Sequence, residues 1–68
     1  MEYLLVKFRK ARGVILNGNL AGFTNTVLEL EPGTYYITLA PPYDFTPFTE
    51  VVRLKDTTVF TPREVDFA

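Results

Sequence analysis

Residues 26–39, Thr-Val-Leu-Glu-Leu-Glu-Pro-Gly-Thr-Tyr-Tyr-Ile-Thr-Leu, leave the chain few choices of structure. A helix does not tolerate Pro32-Gly33 in its middle, whereas Tyr, Ile and Thr suit a pleated surface. The stretch reads as two strands folded back across Pro32-Gly33. In that register Glu31 faces Thr34, Leu30 faces Tyr35, Leu28 faces Ile37 and Thr26 faces Leu39. Alternation then puts Leu28, Leu30, Tyr35, Ile37 and Leu39 on one face, and Val27, Glu29, Tyr36 and Thr38 on the other. The expectation is an antiparallel hairpin with one wet side. Its turn is an awkward one. Pro followed by Gly favours type II, whereas tight two-residue hairpins use the primed types, so a longer or bulged loop is expected.

The other segments follow the same alternation. From Tyr3 to Lys10, Leu4, Val6 and Phe8 take one face; Tyr3, Leu5, Lys7 and Arg9 take the other. A helical period also fits Leu4, Leu5 and Phe8, and the β-rich surroundings decide for a strand. Val14-Ile15-Leu16 is followed by Asn17-Gly18, a strong hairpin signal because both residues accept positive φ. The return strand runs from Leu20 to Phe23, with Gly22 marking a bulge or a close backbone approach. Residues 40–47 hold Pro41, Pro42 and Pro47, which exclude a central strand and leave a stiff loop carrying Tyr43 and Phe45. A strand from Phe48 to Lys55 places Phe48, Val52 and Leu54 together, with Glu50 as the exception. A last strand begins at Val59–Thr61, is interrupted by Pro62, and resumes over Glu64–Phe67 with Val65 and Phe67 inward. Six or seven short strands at roughly 8–12-residue spacing, without a helix, mean an all-β sandwich or a small barrel.

Sixty-eight residues make a single domain, 1–68, which buries only about 60% of its extended surface. There is no Cys and no His, so disulfides, thiolate metal sites, His bases and nucleophilic triads are excluded. Stability must come from apolar burial, here with ten aromatics (six Phe, four Tyr), to which self-association is an optional addition. The net charge is −1 but unevenly spread. Residues 1–12 hold Lys7, Arg9, Lys10 and Arg12 against Glu2, a net +3; residues 13–68 hold three bases and seven acids, a net −4. The N-terminus lacks the pattern of a secretory signal, and no apolar run approaches the roughly 18–20 residues of a membrane helix. If the chain is full length, the expected location is cytoplasmic.

From Val14 to Leu39 the residues resemble the PEGA domain, a small β-sandwich of immunoglobulin-like or transthyretin-like kind. Val14-Ile15-Leu16-Asn17-Gly18 is similar to its hydrophobic strand and Asn-Gly turn. Gly22-Phe23-Thr24 is similar to its Gly-x-Thr step. Leu28-Glu29-Leu30 and Pro32-Gly33-Thr34-Tyr35-Tyr36-Ile37-Thr38-Leu39 are similar to its leucine strand, Pro-Gly turn and following strand; Val52-Arg53-Leu54 matches the next. Three features depart from the pattern. Arg9-Lys10-Ala11-Arg12 stands where the naming Pro-Glu-Gly-Ala run would be, Asn25 where a Pro usually follows the Thr, and Pro41-Pro42-Tyr43 where a Gly-Tyr occurs. The resemblance implies a six- or seven-stranded antiparallel sandwich and no catalytic residues. It also implies a binding or structural role of the kind such modules have within larger, often surface-associated proteins.

Four kinds of chemistry are conceivable for these residues. Glu29 with Glu31, and Glu64 with Asp66, share strand faces at i, i+2, but a glycosidase pair needs a cleft that so small a sandwich has little room for. They read as solvated faces, and neither an enzyme nor a cofactor is expected. Asp44 and Asp56 stand alone, too sparse for a calcium loop, and read as turn residues. Lys7 to Arg12, with Phe8 and Tyr3, suggests a small barrel binding nucleic acid through a basic strand; the simpler reading sets that strand beside the acidic Glu64 and Asp66. The last candidate is a partner surface: Tyr43, Phe45 and Phe48 on the proline-rich loop, and Tyr3 and Leu5 on the outer face of the first strand, facing a protein partner or a second copy; the simpler reading folds the loop's rings inward to close one end of the sandwich.

Overall fold

Seven segments take the extended conformation that alternation asks for. They are β1 (Glu2–Lys7), β2 (Gly13–Leu16), β3 (Asn19–Phe23), β4 (Val27–Leu30), β5 (Gly33–Leu39), β6 (Glu50–Leu54) and β7 (Arg63–Asp66). The computed structural model describes residues 1–68. The strands form two sheets, ordered β4-β1-β7 and β3-β2-β5-β6. Between them lies a core of Leu4, Val6, Phe8, Val14, Leu16, Ile37, Leu39, Phe45, Val52, Leu54, Val65 and Phe67. The fold is all-β, as the strand spacing required. Every pairing is antiparallel except β1 with β7, which run parallel, Val6 beside Val65. The reading of a wholly antiparallel sandwich is corrected at that one pair.

The larger correction concerns residues 26–39. The two strands exist, and Leu28, Leu30, Tyr35, Ile37 and Leu39 all turn toward the core as expected. They do not pair with each other. β4 pairs with β1, Leu28 opposite Leu4. β5 pairs with β2 and β6, Ile37 opposite Leu16 and Glu50. Glu31-Pro32 therefore carries the chain from one sheet to the other. The physical reason is the turn: Pro-Gly has the wrong twist for a tight hairpin. Inward alternation is the same for two strands facing each other across a core as for two strands side by side. Tyr35 closes the crossover by donating its hydroxyl hydrogen to the Glu31 carbonyl at 2.6 Å.

The Asn17-Gly18 hairpin forms as read, with φ of 50° and 86° at its two corners, the type I′ signature. The β2–β3 register shifts between Val14 and Ile15, so Ala21 is the extra residue of a bulge beside Gly22. A Cβ on Gly22 would lie 2.5 Å from Leu28 Cδ2, so the close approach expected there comes from the opposite sheet. Three other boundaries differ. β1 ends at Lys7, not Lys10. Val59–Thr61 is a turn closed by reciprocal Thr58–Thr61 main-chain bonds, and Phe60 at its corner is almost wholly exposed. Phe48 lies before β6 and is exposed, so it does not share the buried face of Val52 and Leu54.

Candidate functional site

Four segments meet at one end of the sandwich: 8–12, 24–25, the proline-rich loop 40–49, and Phe67-Ala68. Each is fastened by polar groups. After β1, Asn25 clasps the Phe8 main chain. Its Oδ1 accepts from the Phe8 N–H at 3.1 Å and its Nδ2 donates to the Phe8 carbonyl at 3.0 Å. The Asn25 N–H donates to the Val6 carbonyl at 2.7 Å. Asn25 has a φ of 66°. Proline cannot adopt that angle, so the departure from the family pattern at this position has a physical cause. Thr24, buried, donates its hydroxyl to the Lys10 carbonyl and accepts from the Arg12 N–H.

Held in this way, Arg12 turns inward and its side chain is only 8% exposed. Its Nη1 donates to the Pro42 carbonyl at 2.8 Å, the Ala40 carbonyl at 3.3 Å and Asp44 Oδ1 at 3.0 Å. A guanidinium offers several donors in a fixed plane, which lets one side chain hold two carbonyls and a carboxylate together. Asp44 also meets Arg9 Nη2 at 3.0 Å and Lys10 Nζ at 3.8 Å. The Arg12 hydrogen bond, above all, holds the Asp44 carboxyl below its usual range; the charges of Arg12 and Arg9 add to this against some loss of hydration. The loop is also tied to the C-terminal segment by reciprocal Thr46–Ala68 main-chain bonds.

The anchored loop sorts its aromatics into two groups. Phe45 is buried and packs edge-on against Phe8 and Phe67, with centroids 6.3 and 5.8 Å away. For Phe45 the simpler reading holds and its place on a partner surface is corrected: its ring closes the end of the core. Phe48 stacks almost parallel on Phe45, at 6.0 Å and 11°. Tyr43 meets Phe48 edge-on at 5.5 Å. Tyr43 and Phe48 are 66% and 60% exposed. They form a ledge of two outward rings on a buried third, and Thr38 Oγ1 holds the Phe48 carbonyl at 2.6 Å.

The remaining candidates lie elsewhere. Tyr3 and Leu5 are half-buried on the outer face of β1, the central strand of its sheet, beside Glu29 and between Val27 and Glu64. Lys7 Nζ contacts Glu64 at 3.0 Å and Asp66 at 3.6 Å, so the basic strand does lie beside the acidic one. Those contacts raise the Lys7 pKa, the Glu64 hydrogen bond most of all. All four bases of 7–12 thus have carboxylate partners, and Phe8, the aromatic among them, is buried. No pocket indents the surface around Glu29, Glu31, Glu64 or Asp66. Asp56 occupies a turn with φ 57°. Arg12 and Asn25 stand out in the sequence as a surface base and a missing proline, but not as the anchors they are. The available signal was charge: Asp44 is the one acid in a rigid loop, and 7–12 carries four bases.

Two β-sheets closed over an apolar core, with end loops fastened by side-chain hydrogen bonds, define a small β-sandwich module. The chain belongs to the PEGA domain family, a family of small non-catalytic domains, whose model matches residues 9–63. The match begins at the Arg9–Arg12 run and includes the whole proline-rich loop. No match is found among curated proteins or solved structures.

Proposed function

We propose that this protein is a non-enzymatic interaction module that presents Tyr43 and Phe48 to a protein partner. The observation that carries the reading is the combination of exposure and rigidity. Two aromatic rings stand in solvent on a loop whose carbonyls and carboxylate are gripped by a buried arginine. Rings already fixed before binding lose little conformational entropy, and aromatics dominate the energetics of protein interfaces. The nucleic-acid alternative gains nothing from the geometry: β1 stops at Lys7, and the bases of 7–12 are already engaged by Asp44, Glu64 and Asp66.

The test compares proteins recovered with the wild-type chain and with a Tyr43→Ala, Phe48→Ala double variant, quantified by mass spectrometry. Both side chains are outside the core, so the variant keeps its fold. The expected result is a specific partner whose recovery falls at least about tenfold, as loss of two interface aromatics implies. A partner set identical for the two proteins refutes the proposal. Low-salt titration of single-stranded oligonucleotides, where phosphate affinity is strongest, should show no saturable binding. Saturable binding lost on combined Lys7→Glu and Arg9→Glu substitution would favour the alternative.

A further inference from the structure

The two sheets differ in their outer faces. On the three-stranded sheet the outward residues include charges in each row: Tyr3 beside Glu29, Leu5 beside Glu64, Lys7 beside Asp66. On the four-stranded sheet the inward residues are Val14, Leu16, Ile37, Leu39, Val52 and Leu54, so the alternate positions point out. The register aligns Leu20 with Ile15 and Thr38, Phe23 with Gly13, Tyr36 with Val51, and Thr34 with Arg53. Arg53 is the only charge among them. Leu20 also leans over Gly13: a Cβ there would be 3.0 Å from Leu20 Cδ1 and 3.2 Å from Ala40 Cβ. This packs Leu20, Ile15 and Ala40 into one continuous apolar surface. Leu20, Phe23, Tyr36 and Val51 are 65%, 57%, 58% and 56% exposed.

We propose that this face is the interface of a homodimer, with the four-stranded sheets of two copies stacked face to face. Area is the first argument. Four large side chains, each more than half exposed, leave roughly 500 Å2 of apolar surface uncovered, near the top of what a monomer carries. A standard interface takes about 800 Å2 from each partner, and the flanking threonines and Arg53 stem supply the difference. That is about a fifth of the 4166 Å2 surface of one copy. Charge is the second argument. Two-fold symmetry sets a patch against itself, so a patch of one sign repels its mate, and this one is almost neutral. A two-fold axis along the strands lays the β3 side of one copy over the β6 side of the other. It keeps the two Arg53 side chains at opposite edges, about three strand spacings or 14 Å apart. The same neutrality gives a charged partner nothing to steer by. The small core is the third argument, since a chain of this size without disulfides gains stability from association.

Sedimentation equilibrium of the full chain between micromolar and millimolar concentration tests the proposal. The wild type should move from 7.8 kDa toward twice that mass. Leu20→Lys and Val51→Glu should each weaken association at least about 100-fold, the cost of burying an unpaired charge. Mixing the two variants should restore a dimer, because the symmetry sets β3 against β6. Leu5→Glu on the other sheet, and the Tyr43→Ala, Phe48→Ala variant, should leave the mass unchanged. Circular dichroism confirms that each variant is folded. A wild type monomeric at millimolar concentration overturns the proposal, as does a dimer that survives both Leu20→Lys and Val51→Glu, or one lost only on Leu5→Glu. A dimer lost on Tyr43→Ala, Phe48→Ala would assign self-association to the ledge instead.

Discussion

Returning Asn25 to the proline usual in the family should unfold this protein. At position 25 the backbone has φ 66°, and proline is locked near −65°, about 130° away. The substitution also removes the N–H that reaches the Val6 carbonyl and both side-chain bonds to Phe8. Each of the three lost hydrogen bonds costs about 1 kcal/mol at this water-accessible site. With the backbone misfit the total is at least about 4 kcal/mol. A 68-residue chain holds roughly 3–10 kcal/mol of stability, at about 0.05–0.15 per residue. Two companions separate the causes. Asn25→Gly accepts the angle and loses only the clasp, about 1–2 kcal/mol because water reaches this site. Asn25→Asp keeps the acceptor for the Phe8 N–H and should cost under about 1 kcal/mol. Urea unfolding followed by circular dichroism should rank the variants Asp, Gly, Pro in order of increasing loss. At about 4–8 °C per kcal/mol, the glycine variant should melt some 5–15 °C early. A proline variant as stable as wild type would refute the reasoning about this end of the sandwich.

Two further outcomes concern the charges and the core. Asp44 titrates below its ordinary 3.8 in the folded chain, and Glu2, bound by Thr57, below 4.5. Their contribution is complete above those values and is lost as pH falls through the lowered native ones. Lys7 titrates above 10.5, so its contribution holds below that and fades as pH rises through the raised native value. The urea midpoint should therefore be flat between, and Asp44→Asn should flatten the acid limb; an acid limb unchanged by that substitution would mean that the Arg12–Asp44 contact does not stabilise the fold. Ile37, wholly buried, should cost about 2–5 kcal/mol on truncation to Ala, and a urea midpoint unmoved by it would mean that Ile37 lies outside the core.

Side-chain alternation made the inward faces legible. Leu28, Leu30, Tyr35, Ile37 and Leu39, and equally Leu4, Val6, Val65 and Phe67, turn inward as their spacing requires. Local turn chemistry was legible too, at Asn17-Gly18 and Gly22. Partner choice was not, because period-two alternation is identical whether Leu28 pairs beside Ile37 or faces it across the core. The one discordant sign, a Pro-Gly pair at a supposed tight hairpin, pointed the right way. The parallel β1–β7 pair joins residues nearly sixty positions apart and leaves no local trace. The site was legible in part. Tyr43 and Phe48 stand out among prolines, but whether each ring lies in or out depends on packing against Phe8 and Phe67, which come from the two ends of the chain. Arg12 looked like one more surface base because its partners lie 28–32 positions away.

Glu31-Pro32 joins the two sheets, and this crossing brings 8–12, 24–25 and 40–49 to one end beneath the Tyr43–Phe48 ledge. Nuclear Overhauser contacts in solution test it most directly. The expected result is main-chain contacts of Leu28 with Leu4 and of Ile37 with Leu16, together with ring contacts among Phe8, Phe45 and Phe67. Main-chain contacts of Leu28 with Ile37 and of Leu30 with Tyr35 would instead restore the hairpin and rule out the crossing between sheets.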